Sequence, residues 1–154
     1  MSSGGAPLSE DTYRAPDLNL LGPEHVRRYQ ETNGEVGYIW NGVPTLLLTT
    51  TGRKSGKSWT TPLIHGRDGD DYLVVASMGG APQHPNWYRN LEAHPSARIQ
   101  VRDQHIDVTA RTAGEDEKAR LWKIMTDQWP NYDVYQSRTD RVIPVVVLSR
   151  STRA

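Results

Sequence analysis

Thr45-Leu46-Leu47-Leu48-Thr49-Thr50-Thr51 runs straight into Gly52-Arg53-Lys54-Ser55-Gly56-Lys57-Ser58, and Thr60-Thr61-Pro62-Leu63-Ile64-His65 follows. The first run is apolar and β-branched, which suits a pleated, partly buried strand. The second holds two glycines, three cations and two serines in seven residues, and reads as a loop. The third resumes a strand. Two strands joined by so short a loop pair antiparallel, because a parallel crossover needs a dozen residues or more.

Outward from this hairpin the pattern repeats. Arg67–Asp71 is a turn centred on Asp-Gly, and Tyr72–Ser77 is a strand whose continuous apolar run predicts cover on both faces. Ala97–Val101 and His105–Arg111 read as a second hairpin, and Ile143–Leu148 as a last strand. Helices are expected over Glu24–Thr32, stopped near Gly34, over Asn86–Ala93 with Trp87, Leu91 and Tyr88 inward, and over Glu115–Gln128. The last of these begins acidic and carries Leu121, Trp122, Ile124 and Met125 on one stripe. Pro130 ends it, and Asn131–Arg141 reads as irregular. The sum is an α+β chain with about six mainly antiparallel strands in a small barrel and helices at its flanks. Residues 1–19, rich in Ser, Gly, Pro and Asp, read as a mobile segment ahead of a single domain over 20–154.

Composition narrows the function. Among 154 residues there are 18 Lys+Arg and 18 Asp+Glu, so no global positive field gathers nucleic acid. Cysteine is absent, which removes disulfides, thiolate metal sites and cysteine nucleophiles. His25, His65, His84, His94 and His105 show no metal-ligand spacing, and Ser55, Ser58 and Ser77 lack a nucleophile-elbow context. No run approaches the roughly 20 apolar residues of a membrane span, so stable membrane insertion is not expected. The N-terminus shows no basic-then-apolar leader, and a cytoplasmic location is the default. An organic cofactor that brings its own chemistry fits best, since the protein then supplies binding groups.

Three clusters are candidates for that binding. In 52–58 the glycines bring backbone close to a ligand, Arg53 can grip an anion bidentately, and Lys54 and Lys57 add point charges, with Ser55 and Gly56 between them. The spacing is not that of a Walker loop, because no helix can follow at Trp59-Thr60-Thr61-Pro62. A solvated hairpin tip is the alternative. In Ala76-Ser77-Met78-Gly79-Gly80 small residues would let a flat ring lie on backbone, with the amides of Met78, Gly79 and Gly80 donating to ring carbonyls. A tight strand-to-helix connection is the alternative there. Trp87 stacks on a ligand or packs in the core. Tyr132 and Tyr135 either form a lid whose hydroxyls reach a substrate or pack with wet hydroxyls.

The linked motifs Gly42–Lys57, Thr61-Pro62-Leu63, Val75–Pro82, His84–Leu91 and Arg138–Val145 resemble, in matching order, the deazaflavin-dependent nitroreductase family of actinobacteria. The resemblance runs from about Gly42 to Leu148. It implies a split β-barrel like those that bind flavin mononucleotide, and binding of coenzyme F420, whose tail carries a phosphodiester and glutamates. Arg53, Lys54 and Lys57 fall where the family holds that tail, and Ala76 to Gly80 where the ring lies on backbone; Ser55, Gly56, Thr61, Pro62 and Trp87 are further cofactor-binding candidates. Tyr132 and Tyr135 fall where family members place substrate-pocket tyrosines, and Ser77 where a hydroxyl lies near the reacting centre. The family usually shows a cation in place of Trp59, a Lys or Asn in place of Met78, and in some relatives a tyrosine in place of His65.

The implied reaction is hydride transfer from reduced F420 to a small organic acceptor (an activated alkene such as an enone, a quinone or a nitro compound), with a proton from water, Tyr132, Tyr135 or Ser77. The alternatives are a non-catalytic split-barrel protein that holds F420, flavin or lipid, and a flavin-mononucleotide oxidase of the same fold. A monomer or weak dimer is expected.

Overall fold

The computed structural model describes Tyr13 and residues 15–151. Eight strands form one antiparallel sheet: β1 (Ile39–Trp40), β2 (Val43–Thr51), β3 (Ser58–Ile64), β4 (Gly66–Asp68), β5 (Asp71–Val75), β6 (Ser96–Val101), β7 (Gln104–Thr112) and β8 (Val145–Arg150). Their order is β1-β2-β6-β7-β8-β5-β4, with β3 also paired to β2. Four helices flank the sheet: α1 (Gly22–Thr32), α2 (Asn86–Ala93), α3 (Glu115–Gln128) and α4 (Asn131–Ser137). The two strands beyond the six expected are the short β1 and β4, two and three residues long. Pieces that short carry no periodicity to read.

The decisive hairpin forms as read. β2 and β3 pair over seven residues from Thr45↔Ile64 to Thr51↔Ser58, which leaves Gly52–Lys57 as the connecting loop. β5 and β8 lie side by side, just inside the β4 edge, and their alternation splits the core in two. Tyr72, Val74, Val146 and Leu148 face one cluster, closed by Tyr88 and Leu91 of α2. Leu73, Val75, Val145 and Val147 face the other, closed by Leu121 and Met125 of α3 and by Trp129 and Tyr132. A strand covered on both faces has no polar side, which explains the continuous apolar run.

Two elements differ from expectation. Asn131–Ser137 is a helix, not irregular chain. Pro130 does not merely stop α3; with φ −58° and ψ −21° it stands as the N-cap of α4. Seven residues hold too few turns for a periodicity to show, and burial of Tyr132 and Val134 supplies the stability that sequence pattern could not announce. In α1, few residues are apolar, yet His25 and Tyr29 are buried. The Tyr29 hydroxyl donates towards the carbonyls of Thr45 (3.0 Å) and Gln100 (3.3 Å) and accepts from the amide of Arg102 at 2.9 Å. A buried phenol is stable when so satisfied, so this helix is held by polar contacts as much as by an apolar stripe.

Most of the expected mobile segment 1–19 lies outside the described residues. Near its end Asp17 is tied to the β1–β2 turn: its amide donates to Asn41 Oδ1 at 2.7 Å and its carbonyl accepts from Asn41 Nδ2 at 3.1 Å. No helix among the described residues is long and apolar enough to cross a membrane.

Candidate active site

The β2–β3 loop reaches towards the start of α2, and a cleft of about 390 Å³ opens between them. Arg53 is fixed there by amides. Its backbone N–H (3.2 Å) and Nη1 (2.9 Å) both donate to Oδ1 of Asn90, and Nη2 donates to Asn86 Oδ1 at 3.4 Å. Asn90 is buried and donates in turn to Thr50 Oγ1 at 3.1 Å. The guanidinium is thus oriented by neutral groups and keeps its whole charge. Among the described residues no carboxylate pairs with Arg53, Lys54 or Lys57, whereas Arg27, Arg98, Arg111, Arg120 and Lys123 all have one. An oriented, uncompensated guanidinium beside two exposed lysines can take an anion.

The loop contributes unevenly. Arg53, Lys54 and Ser55 line the cleft with Trp59 and Thr61, while Gly56 and Lys57 stand exposed without lining it. Ser55 instead shapes the turn, accepting from the amide of Lys57 at 3.1 Å. Asn86 and Asn90, which hold Arg53, were not singled out from sequence. Their signal was the spacing of four on one helix face, which becomes meaningful only when the loop is seen to dock there.

Thr61 and Trp87 also border a second cavity of about 470 Å³, so the two spaces are contiguous. Pro62, Ser77, Met78, Gly79, Tyr132 and Tyr135 line it, joined by His25, Trp40 and Trp129. The 3-10 turn Met78–Gly80 forms one wall. All three residues have positive φ (45°, 65° and 87°), a backbone form that glycine adopts without cost. Gly80 has a second reason: a Cβ there would lie 2.5 Å from the carbonyl oxygen of Tyr135. The amide of Gly80 donates to Ser77 O at 2.9 Å, so it is not free for a ring, contrary to expectation. The amides of Met78 and Gly79 donate to no backbone carbonyl of the turn. Ala76 and Gly80 are buried behind this wall and do not line the cavity.

The opposite wall carries the tyrosines. A spacing of three puts Tyr132 and Tyr135 on one face of α4, with ring centroids 6.0 Å apart. Burial pushes the Tyr132 phenol well above its ordinary pKa, so it stays protonated. Trp129 Nε1 donates to the hydroxyl oxygen of Tyr135 at 3.3 Å, which leaves that hydroxyl's own proton available. His25 is held neutral chiefly by burial, against the opposing pull of its Nε2 contact with Gly37 O at 2.9 Å. His65 lines neither cavity. It is buried among Tyr38 and Tyr72, its Nδ1 has no hydrogen-bond partner, and burial lowers its pKa to about 4.

A cleft of free cations opening into an aromatic-walled slot fits a flat ring with an anionic tail. Comparison with known proteins agrees: residues 22–150 match the model of the family described as F420H(2)-dependent quinone reductase. The chain belongs to that family. An F420H(2)-dependent quinone reductase of Mycobacterium tuberculosis is 48% identical over 130 residues, covering 82% of this chain and 87% of that protein. A solved F420-H2 dependent reductase is 42% identical with a TM-score of 0.64, covering 69% of this chain and 94% of the other. Another solved relative, described as a domain-swapped dimer, is 40% identical with a TM-score of 0.66 and covers 80% and 96% of the two chains. The F420H(2)-dependent quinone reductase family has the split β-barrel expected from sequence, its enzymes are F420-dependent oxidoreductases, and their cofactor is the reduced deazaflavin.

Proposed function

We propose that this chain reduces a quinone with reduced F420, and that the two contiguous cavities divide the work between holding the tail and aligning the reaction. The observation that carries this reading is the unpaired Arg53, locked by Asn90 and Asn86 at the mouth of a slot walled by Trp87, Trp129, Tyr132 and Tyr135. When bound, the coenzyme supplies a hydride from its central ring carbon.

The chain's own groups then have distinct tasks. Arg53 and Lys54, with Ser55 beside them, hold the phosphodiester and its glutamates, and Lys57 adds charge from the outer side of the loop. Thr61, Pro62 and Trp87 form the passage from cleft to slot. Gly79 leaves open space where a side chain would stand, so backbone amides at 78 and 79 can face ring carbonyls directly. A planar quinone suits a slot bounded by flat rings better than a bulky alkene does. After a quinone accepts a hydride, its oxygen gains negative charge and needs a proton. In this reading Tyr135 donates it, supported by its place in the slot wall and by Trp129, which engages its oxygen and leaves its proton to give. Tyr132 remains protonated through burial, and Ser77 offers a further hydroxyl from the opposite wall.

The test follows coenzyme oxidation by absorbance with menadione, cyclohexenone and a nitroarene. The quinone should turn over fastest, and Arg53→Ala combined with Lys54→Ala should weaken coenzyme binding about a hundredfold or more, at roughly 1.5–3 kcal/mol per charged hydrogen bond. Coenzyme that stays reduced with every acceptor, or a double variant that binds as tightly as wild type, overturns the proposal.

A further inference from the structure

Arg141 lies between α4 and β8, away from both cavities, yet its side chain reaches the loop that forms the slot's wall. Nε donates to the carbonyl of Ala81 at 2.7 Å, Nη2 to that of Ser77 at 2.8 Å, and Nη1 to that of Ala76 at 3.2 Å. Nη1 also meets His84 Nδ1 at 3.0 Å. The same residue is held from the other side. Gln136 of α4 donates through Nε2 to the carbonyl of Arg141 at 2.7 Å, and its Oε1 accepts from the amide of Ile143 at 2.9 Å. Arg141 therefore joins the two walls, beside Arg138 at the end of α4, whose Nη1 donates to the carbonyl of Gly79 at 3.3 Å: the Arg141 backbone is bound to the helix that carries Tyr132 and Tyr135, and its guanidinium to the loop that carries Ser77, Met78 and Gly79.

The loop needs such a hold. Met78 is a non-glycine residue at φ 45°, in the sparsely populated left-handed region, and half exposed. A conformation of that kind persists only where the surroundings over-determine it. The bonds within the loop are few: Gly80 N to Ser77 O and Ala81 N to Met78 O. The fixed fork of a guanidinium can meet four acceptors spread over nine residues, from Ala76 to His84, which a lysine ammonium on a flexible stem cannot do.

We propose that Arg141 is a positioning residue that sets the register between the 76–81 loop and the tyrosine helix, so that proton donors on one wall face the acceptor held against the other. This rests on the reading that the loop receives the deazaflavin ring. The Arg141 latch itself is a statement about the chain alone and is tested first without coenzyme.

The experiment compares Arg141→Ala, Arg141→Lys and His84→Phe with wild type, using the full chain. His84→Phe keeps a ring beside Tyr88 but removes one acceptor, and it serves if the arginine variants do not fold. In the coenzyme-free protein, amide exchange at Gly80 and Ala81 should quicken by about tenfold or more in the arginine variants, and by less in His84→Phe, while the β6–β7 hairpin stays unchanged. In the loaded enzyme, kcat should fall between about tenfold and a hundredfold, as a misplacement near 1 Å produces, with coenzyme affinity changed less. Arg141→Lys should resemble the alanine variant, and millimolar guanidinium should partly restore Arg141→Ala. Unchanged exchange at Gly80 and Ala81 in every variant that folds overturns the latch. Failure of the wild type to bind F420 would instead defeat the reading of the loop and leave the exchange result standing.

Discussion

Replacing Asn90 by aspartate alters one atom's chemistry and should disable the anion site without unfolding the protein. In the wild type, Asn90 Oδ1 accepts from Arg53 twice, at 2.9 and 3.2 Å, and carries no net charge. Asn90→Asp keeps the shape and the oxygen that accepts both bonds, but its carboxylate pairs with the guanidinium. Two unit charges about 4 Å apart attract by roughly 4 kcal/mol at an effective dielectric of about 20, an upper bound on what a competing phosphate must displace. The net loss is smaller, because the cleft admits water; a charged hydrogen bond is worth about 1.5–3 kcal/mol, which predicts coenzyme affinity about ten- to a hundredfold weaker. Stability should change little. The donor to Thr50 Oγ1 is lost, but that hydroxyl can rotate and donate to the carboxylate. Asn90→Ala makes the contrast: it strands Thr50 and the Arg53 amide in a buried site and should cost about 1–3 kcal/mol of stability. Calorimetric titration with F420 at two salt concentrations, beside thermal unfolding, measures both. The wild type should lose affinity as salt rises, and Asn90→Asp should lose less. An aspartate variant that binds F420 as tightly as wild type, with the same salt dependence, refutes the argument that Arg53 works because neutral amides hold it.

Three other outcomes follow from the structure. Tyr135→Phe should lower kcat with a quinone by about a hundredfold or more while coenzyme affinity holds, measured by steady-state kinetics and titration. Gly80→Ala places a Cβ 2.5 Å from Tyr135 O at a φ of +87°, and should cost about 1–3 kcal/mol in denaturant unfolding, with activity falling further as α4 is pushed away. Stability should also decline in acid through His65. Its pKa drops from 6.5 in the unfolded chain to about 4 in the fold, so between those values the unfolded state binds one more proton than the native state. Stability is then full above pH 6.5 and falls as pH drops towards 4, by about 3 kcal/mol across the window. Chemical denaturation at several pH values should show this limb, and His65→Leu should flatten it.

Much of the fold was legible because the burial pattern is written locally. The strand over Tyr72–Val75 shows its two-sided cover as an unbroken apolar run, and α2 and α3 end where their caps and composition say. The basic loop was open to two readings from residue type, an anion site or a solvated tip. α4 was not legible, because seven residues give no period, and neither was the packing of α1, whose Tyr29 is satisfied by carbonyls from β2 and β6.

The sequence by itself determined the six longer strands, the charge of the β2–β3 loop and the family to which the chain belongs, since propensity, alternation and linked motifs are properties of neighbours along the chain. The tertiary structure alone decided that Asn90 and Asn86 lock Arg53, that Arg141 joins the loop to the tyrosine helix, and that His65 stands apart from the site. The first two depend on groups 33 to 65 residues apart meeting in three dimensions. No local pattern encodes such a meeting; the docking of helices onto a folded sheet creates it.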